Sequence, residues 1–283
     1  MLRGTGLAAL AVAAGCGAGP ATTATRTVPS AHGPIAVPDK AGRVVSLDLS
    51  KIQRLLDVGV EPVGVPTGWQ PPPDRVEWYA GVAKVGTQAS LNVETIAGLR
   101  PDLVLGSPQG VSDELYARLS ALAPTVVLAA PGAGAEWKEL SAADAEAAGR
   151  SAGLAAVQQR YDDRVAALRA IGTRKRFAIV YGIPAGAYAF RVESGPGIVL
   201  ADVGAPFAAE SARPGVFQQL SYEDLGRFAD ADVVLLDAAA DYGLRTQPTF
   251  TALPGRVAVL APLMVFSYGE ALALLDQLEP LLR

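Results

Sequence analysis

The chain of 283 residues uses one short pattern twice, about half a chain apart. Residues 92–107 read NVETIAGLRPDLVLGS, and residues 221–237 read SYEDLGRFADADVVLLD. Each copy combines an acidic residue in a first helical turn, a short helix, an aspartate and an apolar strand. A duplicated helix-to-strand unit constrains the fold strongly, because it predicts two similar lobes that each contain a sheet.

Apolar runs alternate with single helices on both sides of these copies. RVVSLDL at 43–49 predicts a buried strand, and SKIQRLLDVG after it predicts a helix that ends at Gly59. Strands that alternate with single helices are typical of a mostly parallel sheet covered on both faces. We therefore predict an α/β protein with two doubly wound, Rossmann-like lobes, at residues 42–135 and 173–283, and a ligand cleft between them.

Residues 136–172 predict a helical bridge between the lobes. They carry no strand pattern, and apolar residues recur at helical spacing. Gly149 and Gly153 would each cost about 1 kcal/mol inside a helix. We therefore expect two helices with a break there, the second running from Leu154 to Ile171. A rise of about 1.5 Å per residue makes this second helix roughly 27 Å long, which is enough to cross between two small lobes and to resist a large hinge motion.

The N-terminus reads as an export signal. Arg3 precedes a small-residue apolar run, and Ala13-Ala14-Gly15-Cys16 resembles a bacterial lipobox. The run is about 11 residues long, whereas a membrane span needs about 20, so residues 1–15 predict a cleaved signal peptide. Cys16 is then the lipidation site, and the body lies outside the cytoplasmic membrane, anchored to its outer face. The alternative is an ordinary short signal with an incidental cysteine.

The residue inventory excludes several functions. Residues 16–41, rich in Gly, Pro, Thr and Ala, predict a flexible tether, and the only histidine, His32, lies within it. The only cysteine is Cys16. Because the folded body thus lacks both residue types, Ser/His and Cys/His nucleophilic sites and the usual His-rich metal sites are excluded. No phosphate-binding glycine loop occurs in a strand-turn-helix context. We expect neither an enzyme nor a metal site. A net charge of -4 without a basic stripe also argues against a nucleic-acid partner.

Four residues are candidates for ligand binding: Trp69, Tyr188, Arg191 and Phe266. Trp69 follows the second predicted strand in a Pro-rich loop, where it is either a ligand wall or a packed loop anchor. The period-2 alternation of a strand puts Arg191 on the face opposite Phe190. An arginine there offers a planar fork of donors for an oxygen-rich ligand. The alternative for Arg191 is a plain surface arginine. Tyr188 lies on the same short strand, and Phe266 follows the last strand.

The two glutamates of the duplicated unit, Glu94 and Glu223, are candidates for docking. Acidic residues in a first helical turn are favoured by the helix dipole by about 0.3–1 kcal/mol. Either glutamate alone therefore carries no functional information. Their matched occurrence on two similar lobes indicates a pair of contacts for one partner.

Several segments together resemble the ferric-siderophore and cobalamin substrate-binding lipoproteins of bacterial ABC importers. They are RVVSLDLSKIQRLLDVGVEPVGV, VAKVGTQASLNVETIAGLRPDLVLGS, LSALAPTVVL, EWKEL and RVAVL. The resemblance implies two lobes joined by one long helix, a ligand between them, and one glutamate per lobe that docks on basic residues of the permease. Glu94 in LNVETIAGLRPD matches the first of these positions, and Glu223 in SYEDL matches the second.

The resemblance also implies a function. The chain would be an extracytoplasmic monomer that captures a ferric siderophore, of hydroxamate or mixed type, and delivers it to an ABC permease. It would need no cofactor, because the siderophore itself supplies the coordination shell of the iron. Cobalamin and heme are alternative ligands within this class. An enzyme or a non-transporting surface scaffold on the same lobes are alternatives from other classes. Turnover of a captured ligand would identify the enzyme, and ligand depletion in a permease deletion would separate transport from a scaffold.

Overall fold

The structure is a computed structural model, and it describes residues 24–128 and 137–283. The predicted signal peptide at 1–15 and the predicted lipidation site Cys16 lie outside the described residues. The described chain forms two α/β lobes and a helical bridge between them.

The first lobe contains a five-stranded, fully parallel sheet, which is preceded by a hairpin. The strands of the sheet are β3 (Val44–Ser46), β4 (Gly64–Val65), β5 (Ala83–Lys84), β8 (Leu103–Gly106) and β9 (Thr125–Val127). Two separate two-stranded pairs are formed by β1 (Thr25–Val28) with β2 (Ile35–Pro38) and by β6 (Gly86–Thr87) with β7 (Ser90–Leu91). The helices of this lobe are α1 (Leu49–Asp57), α2 (Val76–Gly81), α3 (Val93–Gly98) and α4 (Asp113–Ser120). The sheet order is β5-β4-β3-β8-β9.

The second lobe contains a five-stranded sheet in the order β12-β11-β10-β13-β14. Its strands are β10 (Phe177–Ile183), β11 (Gly186–Phe190), β12 (Phe217–Leu220), β13 (Val233–Asp237) and β14 (Arg256–Leu260). The bridge between the lobes consists of helices α5 (Trp137–Ala148) and α6 (Ser151–Arg169). The helices of the second lobe are α7 (Gly195–Asp202), α8 (Pro248–Thr251) and α9 (Tyr268–Leu282). Only β11 runs against the other four strands.

The two copies of the acidic unit occupy equivalent places in the two sheets. In the first lobe α3 lies between the edge strand β5 and β8, and in the second the 3-10 helix Tyr222–Phe228 lies between the edge strand β12 and β13. The aspartates also correspond. The Asp102 carboxylate accepts the backbone N–H groups of Gly42 and Arg43, both at 2.8 Å, and Asp232 accepts that of Arg176 at 2.7 Å. Each aspartate therefore satisfies donors at the start of a central strand, where the sheet provides no partner.

The bridge contains the two helices α5 and α6, and their boundary differs from the predicted one. The break lies at Gly149, which adopts a left-handed φ of 69°. Gly153, in contrast, lies inside α6, where a Cβ atom would come within 2.9 Å of the Val58 carbonyl oxygen. Gly153 therefore serves the close approach of α6 to the end of α1 and does not interrupt the helix, which begins three residues earlier than the predicted Leu154.

The predicted flexible tether at 16–41 is wrong for its second part. Residues 25–38 form the antiparallel hairpin β1–β2, whose Val28 and Val37 are buried. The Ala31 N–H donates to the Val127 carbonyl, and the Ala41 N–H donates to the Ala148 carbonyl. The hairpin is ordered because alternate residues of its two short strands cover the first lobe, a period-2 pattern that the surrounding Gly/Pro-rich composition conceals.

One hydrophobic core runs through both lobes and the bridge. It includes Val44 and Leu105 of the first sheet, Tyr161 of α6, and Ile179 and Leu235 of the second sheet. Helix α9 contributes its apolar face to this core and packs on both α1 and α6. The two lobes therefore share buried packing.

Candidate functional site

The carboxyl edge of each sheet is the natural place for a ligand. We use this term for the edge where the parallel strands end, near Ser46 and Gly106 in the first lobe and near Ile183 and Asp237 in the second. In open α/β sheets ligands bind in the crevice outside these strand ends. The opposite edge, where the parallel strands begin, is the amino edge.

Both predicted docking glutamates are exposed and lie close to a carboxyl edge. Glu94 is in the first turn of α3, whose N-cap Asn92 accepts the Thr95 N–H at 2.9 Å and in turn donates its own N–H to the carbonyl of Val85, beside the end of β5. Glu223 is in the first turn of the 3-10 helix that directly follows β12. Among the residues that the structure describes, neither carboxylate forms an ion pair. Both charges therefore remain available to a partner.

Each glutamate projects from a helix that is fixed to its lobe two residues later. Ile96 and Leu225 are both fully buried, in the cores beneath the first and second acidic unit. The copies differ in backbone form, because α3 is an α-helix and the second unit is a 3-10 helix. A rigid support under each charge suits a docking contact, since little side-chain or backbone freedom has to be lost on binding.

Trp69 lies in the loop after β4, at the expected edge, but only 9% of it is exposed. Its ring packs edge-on against Trp78 and Tyr79, with centroid distances of 6.1 and 5.4 Å. The Tyr79 hydroxyl accepts the N–H groups of Gly68 and Trp69. This placement corresponds to the packed loop anchor, one of the two roles that the sequence left open for Trp69.

The structure does not bring Arg191 to the cleft. Strand β11 is antiparallel to β10, so its last residues lie beside the first residues of β10, at the amino edge. There Arg191 Nη2 donates to Glu210 Oε1 at 2.8 Å, and Nη1 donates to the Pro214 carbonyl at 3.3 Å. Because Glu210 is buried, Arg191 neutralises a carboxylate that would be costly to leave unpaired. A period-2 pattern does not give the direction of a strand relative to its neighbours.

Tyr188 and Phe266 have intermediate exposure and different surroundings. Tyr188 lies on the face of β11 that also carries Phe190, opposite Tyr181 in the antiparallel pair, and its ring contacts that of Phe217 at 4.9 Å. Phe266 lies in the loop after β14. Its N–H donates to Glu270 Oε2 at 2.7 Å, and its carbonyl accepts Arg54 Nη1 of the first lobe at 3.1 Å. Phe266 therefore lies where the two lobes meet.

Two tyrosines of the second lobe were not among the ligand-binding candidates predicted from the sequence. Tyr242, in the loop after β13, is 56% exposed and has a left-handed φ of 43°. Tyr181 lies near the end of β10, where burial and the nearby charge of Asp237 raise the pKa of its hydroxyl. Tyr181 therefore keeps its proton and can donate a hydrogen bond. The available sequence signal was their position within an apolar strand, for Tyr181, or in the loop after one, for Tyr242.

A polar pair at the first carboxyl edge was also missed. Asp48, which follows β3 and caps α1, accepts the Ser107 hydroxyl at 2.6 Å and the Ser50 hydroxyl at 2.8 Å. Burial alone would raise the pKa of Asp48, but these hydrogen bonds outweigh it and lower the pKa below its usual value. Asp48 is therefore ionised and holds the loops after β3 and β8 together.

Two cations at the carboxyl edges are already engaged. Arg245, after β13, pairs with Asp241 at 2.9 Å. Lys84, at the end of β5, donates to the carbonyls of Tyr79 and Val82. These edges therefore offer aromatic rings, hydroxyl groups and carboxylates together with cations that have partners. Residues 24–128 and 137–283 contain no cluster of three or more His, Cys, Asp or Glu residues placed to hold a metal ion.

In the described part of the chain no helix is both long and apolar enough to span a bilayer.

The sequence profile of a family described as "Periplasmic binding protein" matches residues 44–254, which is most of the chain. A probable siderophore-binding lipoprotein, YfiY of Bacillus subtilis, is 32% identical over 191 residues, which are 64% of this chain and 57% of that protein. The chain thus matches little more than half the length of this relative.

Solved structures share the fold. The siderophore periplasmic binding protein from the fuscachelin gene cluster of Thermobifida fusca is 26% identical with a TM-score of 0.71, over 87% of this chain and 98% of that one. Staphylococcus aureus SirA, complexed with staphyloferrin B, is 21% identical with a TM-score of 0.74, over 90% and 98%. The predicted α/β class with two lobes is confirmed.

Proposed function

Because this chain belongs to the periplasmic binding protein family, as the sequence resemblance predicted, we propose that it captures a ferric siderophore and delivers it to the permease of an ABC importer. The matched pair of exposed glutamates, Glu94 and Glu223, at equivalent places of two carboxyl edges carries this proposal. Two fixed charges set the orientation of a docked partner. The names of YfiY and of the Thermobifida protein support a siderophore as the cargo.

The chemistry of the carboxyl edges favours a ferric hydroxamate or a mixed-type chelate. Tyr242 and Phe266 offer aromatic surface, and Tyr181 offers a hydroxyl. Asp48 adds a negative charge, while Arg245 is already paired with Asp241. A strongly anionic catecholate complex would meet repulsion here, because Lys84 and Arg245, two cations of the described carboxyl edges, already have partners. A weakly charged, oxygen-rich complex fits better.

The location of the protein is part of this proposal. A lipid on Cys16 would hold the body at the outer face of the cytoplasmic membrane, and YfiY is named as a lipoprotein. Attached acyl chains contribute about 0.8 kcal/mol per buried CH₂ group, and stable anchoring takes more than one chain. We expect the variant Cys16→Ser to leave the membrane fraction, as measured by immunoblotting. Unchanged membrane association of this variant would contradict the anchor.

A fluorescence titration of the purified body tests the cargo. We expect ferrioxamine B, a ferric trihydroxamate, to quench the tryptophan emission saturably, and to bind more tightly than ferric enterobactin, cobalamin or heme. The variant Tyr242→Ala should weaken binding about tenfold, as expected for an aromatic contact with a ligand. Phe217→Ala is the matched control, because Phe217 is 43% exposed but lies at the amino-edge end of β12. Absence of quenching by every iron chelate would refute the siderophore proposal.

A further inference from the structure

Arg54 of α1 contacts three separate parts of the molecule with its three guanidinium nitrogens. Nε donates to Asp144 Oδ2 of α5 at 2.6 Å, Nη1 donates to the Phe266 carbonyl at 3.1 Å, and Nη2 donates to the Ser50 hydroxyl at 3.3 Å. The side chain is only 2% exposed. One buried fork thus links the bridge, the second lobe and the start of α1 in the first lobe.

The contact to Ser50 continues to the carboxyl edge of the first lobe. Ser50 donates its hydroxyl to Asp48 Oδ1 at 2.8 Å, and Ser107 donates to Asp48 Oδ2 at 2.6 Å. A chain of hydrogen bonds therefore runs from Ser107 through Asp48, Ser50 and Arg54 to the Phe266 carbonyl. This chain joins a carboxyl-edge loop of the first lobe to a carboxyl-edge loop of the second.

The loop that carries Phe266 receives further support from both lobes. The Phe266 N–H donates to Glu270 of α9, and the Gly269 N–H donates to Asp57 Oδ2 of α1 at 2.7 Å. A Cβ atom at Gly269 would lie 2.3 Å from Asp57 Oδ1, so this approach of α9 to α1 needs a glycine. The position of Phe266 is therefore set across the junction of the lobes.

We propose that Arg54 is a positioning residue for ligand binding, which holds the Phe266 loop at a fixed distance from the Asp48–Ser107 edge. This inference rests on the proposed function, since it requires a ligand between the two edges. The guanidinium is suited to the role because its planar fork directs donors to separate acceptors at the same time, whereas an ammonium is a single point charge. A residue that only neutralised Asp144 would need no contact with Phe266.

Lys51 provides a matched control. It is as buried as Arg54 and shares the same partner, donating to Asp144 Oδ1 at 3.0 Å, but within residues 24–128 and 137–283 its ammonium donates to no other group. The variant Arg54→Lys keeps a positive charge for Asp144 and removes the fork. The variant Lys51→Met removes a charge of the same cluster and leaves the fork in place.

Two measurements on the purified mature protein test the inference. In Arg54→Lys we expect faster amide hydrogen exchange in the peptide around Phe266, and an affinity for ferrioxamine B about tenfold lower, mainly through faster dissociation. In Lys51→Met we expect unchanged exchange in this peptide and an affinity within about twofold of wild type. Thermal midpoints of both variants show whether stability alone separates them.

The outcomes distinguish this inference from the function on which it rests. Equal affinities of wild type and Arg54→Lys, or unchanged exchange around Phe266 in Arg54→Lys, would overturn the positioning role and leave siderophore binding intact. An equal loss of affinity in Lys51→Met would also overturn it, because the cluster charge would then matter and the fork would not. If wild type binds no iron chelate, the proposed function itself fails.

Discussion

Two carboxylates meet where α9 approaches α1. Burial raises the pKa of Glu270 to about 7, and the nearby charge of Asp57 acts in the same direction, although the Phe266 N–H opposes it. Burial also raises the pKa of Asp57, despite hydrogen bonds from Gln53 and Gly269. The charged groups that face Glu270 are Asp57 and Arg54, both on α1. The junction of the lobes therefore contains a carboxyl group that titrates near neutral pH.

The raised pKa predicts a definite pH dependence of stability. Between the unfolded pKa near 4.5 and the folded pKa of about 7, the unfolded chain loses the Glu270 proton first, so the free energy of unfolding falls as pH rises. The variant Glu270→Gln keeps an acceptor for the Phe266 N–H and removes the titration. We expect it to be about 1–3 kcal/mol more stable than wild type at pH 8, with little difference near pH 4.5.

Urea unfolding at the two pH values measures this difference. Glu114→Gln is the control, because Glu114 is exposed in the first turn of α4. A Glu270→Gln variant whose stability changes with pH as steeply as that of wild type would show that Glu270 does not titrate in this window.

Individual site residues were only partly predictable. The helical turns that carry Glu94 and Glu223 lie where the repeated pattern placed them, because such a pattern fixes both a helix and the strand that follows it, while their docking role stays a prediction. Arg191 was misplaced, because alternation along a strand gives its faces but not its direction relative to the neighbouring strand. The link from Arg54 to Phe266 spans 212 residues, and no local pattern encodes such a contact. Residues that depend on tertiary contacts therefore needed the structure.

Among the helices and strands, the hairpin β1–β2 and the break between α5 and α6 depend on each other. A Cβ atom at Gly149 would lie 1.9 Å from the carbonyl oxygen of Asp39, directly after β2. Composition alone predicts neither feature. The hairpin was hidden by its Gly- and Pro-rich surroundings, and the break could not be assigned to either Gly149 or Gly153. The strand predicted at 43–49 and the helix predicted after it correspond to β3 and α1, with bounds that differ by one to three residues.

Alanine substitutions test this contact between elements. Gly149 and Gly172 both have left-handed φ values, 69° and 63°, but only Gly149 faces another segment, since nothing lies within 4 Å of a Cβ at Gly172. We expect Gly172→Ala to cost about 1 kcal/mol, the usual strain of this conformation. Gly149→Ala should cost about 3 kcal/mol or more, because the hairpin must also move. Equal losses in thermal or urea unfolding would mean that the hairpin does not pack there.

Across the entire protein, the equivalent positions of Glu94 and Glu223 predict a separation of binding from delivery. The double variant Glu94→Lys/Glu223→Lys should abolish siderophore uptake by cells, because both docking contacts become repulsive, while the affinity for ferrioxamine B stays unchanged. It raises the net charge by four units, from -4 to 0. The double variant Glu77→Lys/Glu146→Lys makes the same change at two other exposed positions and is the control.

Uptake of radiolabelled iron, measured beside fluorescence titration, separates the two effects. Normal uptake by the Glu94→Lys/Glu223→Lys variant would rule out docking through these residues. A comparable loss in the control variant would instead indicate that net charge, and not the two sites, governs delivery.

The hydrophobic core that continues through both sheets and the bridge has a thermodynamic consequence. Val44 and Leu105 of one lobe and Ile179 and Leu235 of the other belong to the same buried cluster, so neither lobe can lose its packing without exposing apolar surface of its neighbour. Melting of one lobe therefore removes stability from the other. We therefore expect the two halves of the duplicated architecture to lose stability together, as far as this shared cluster couples them.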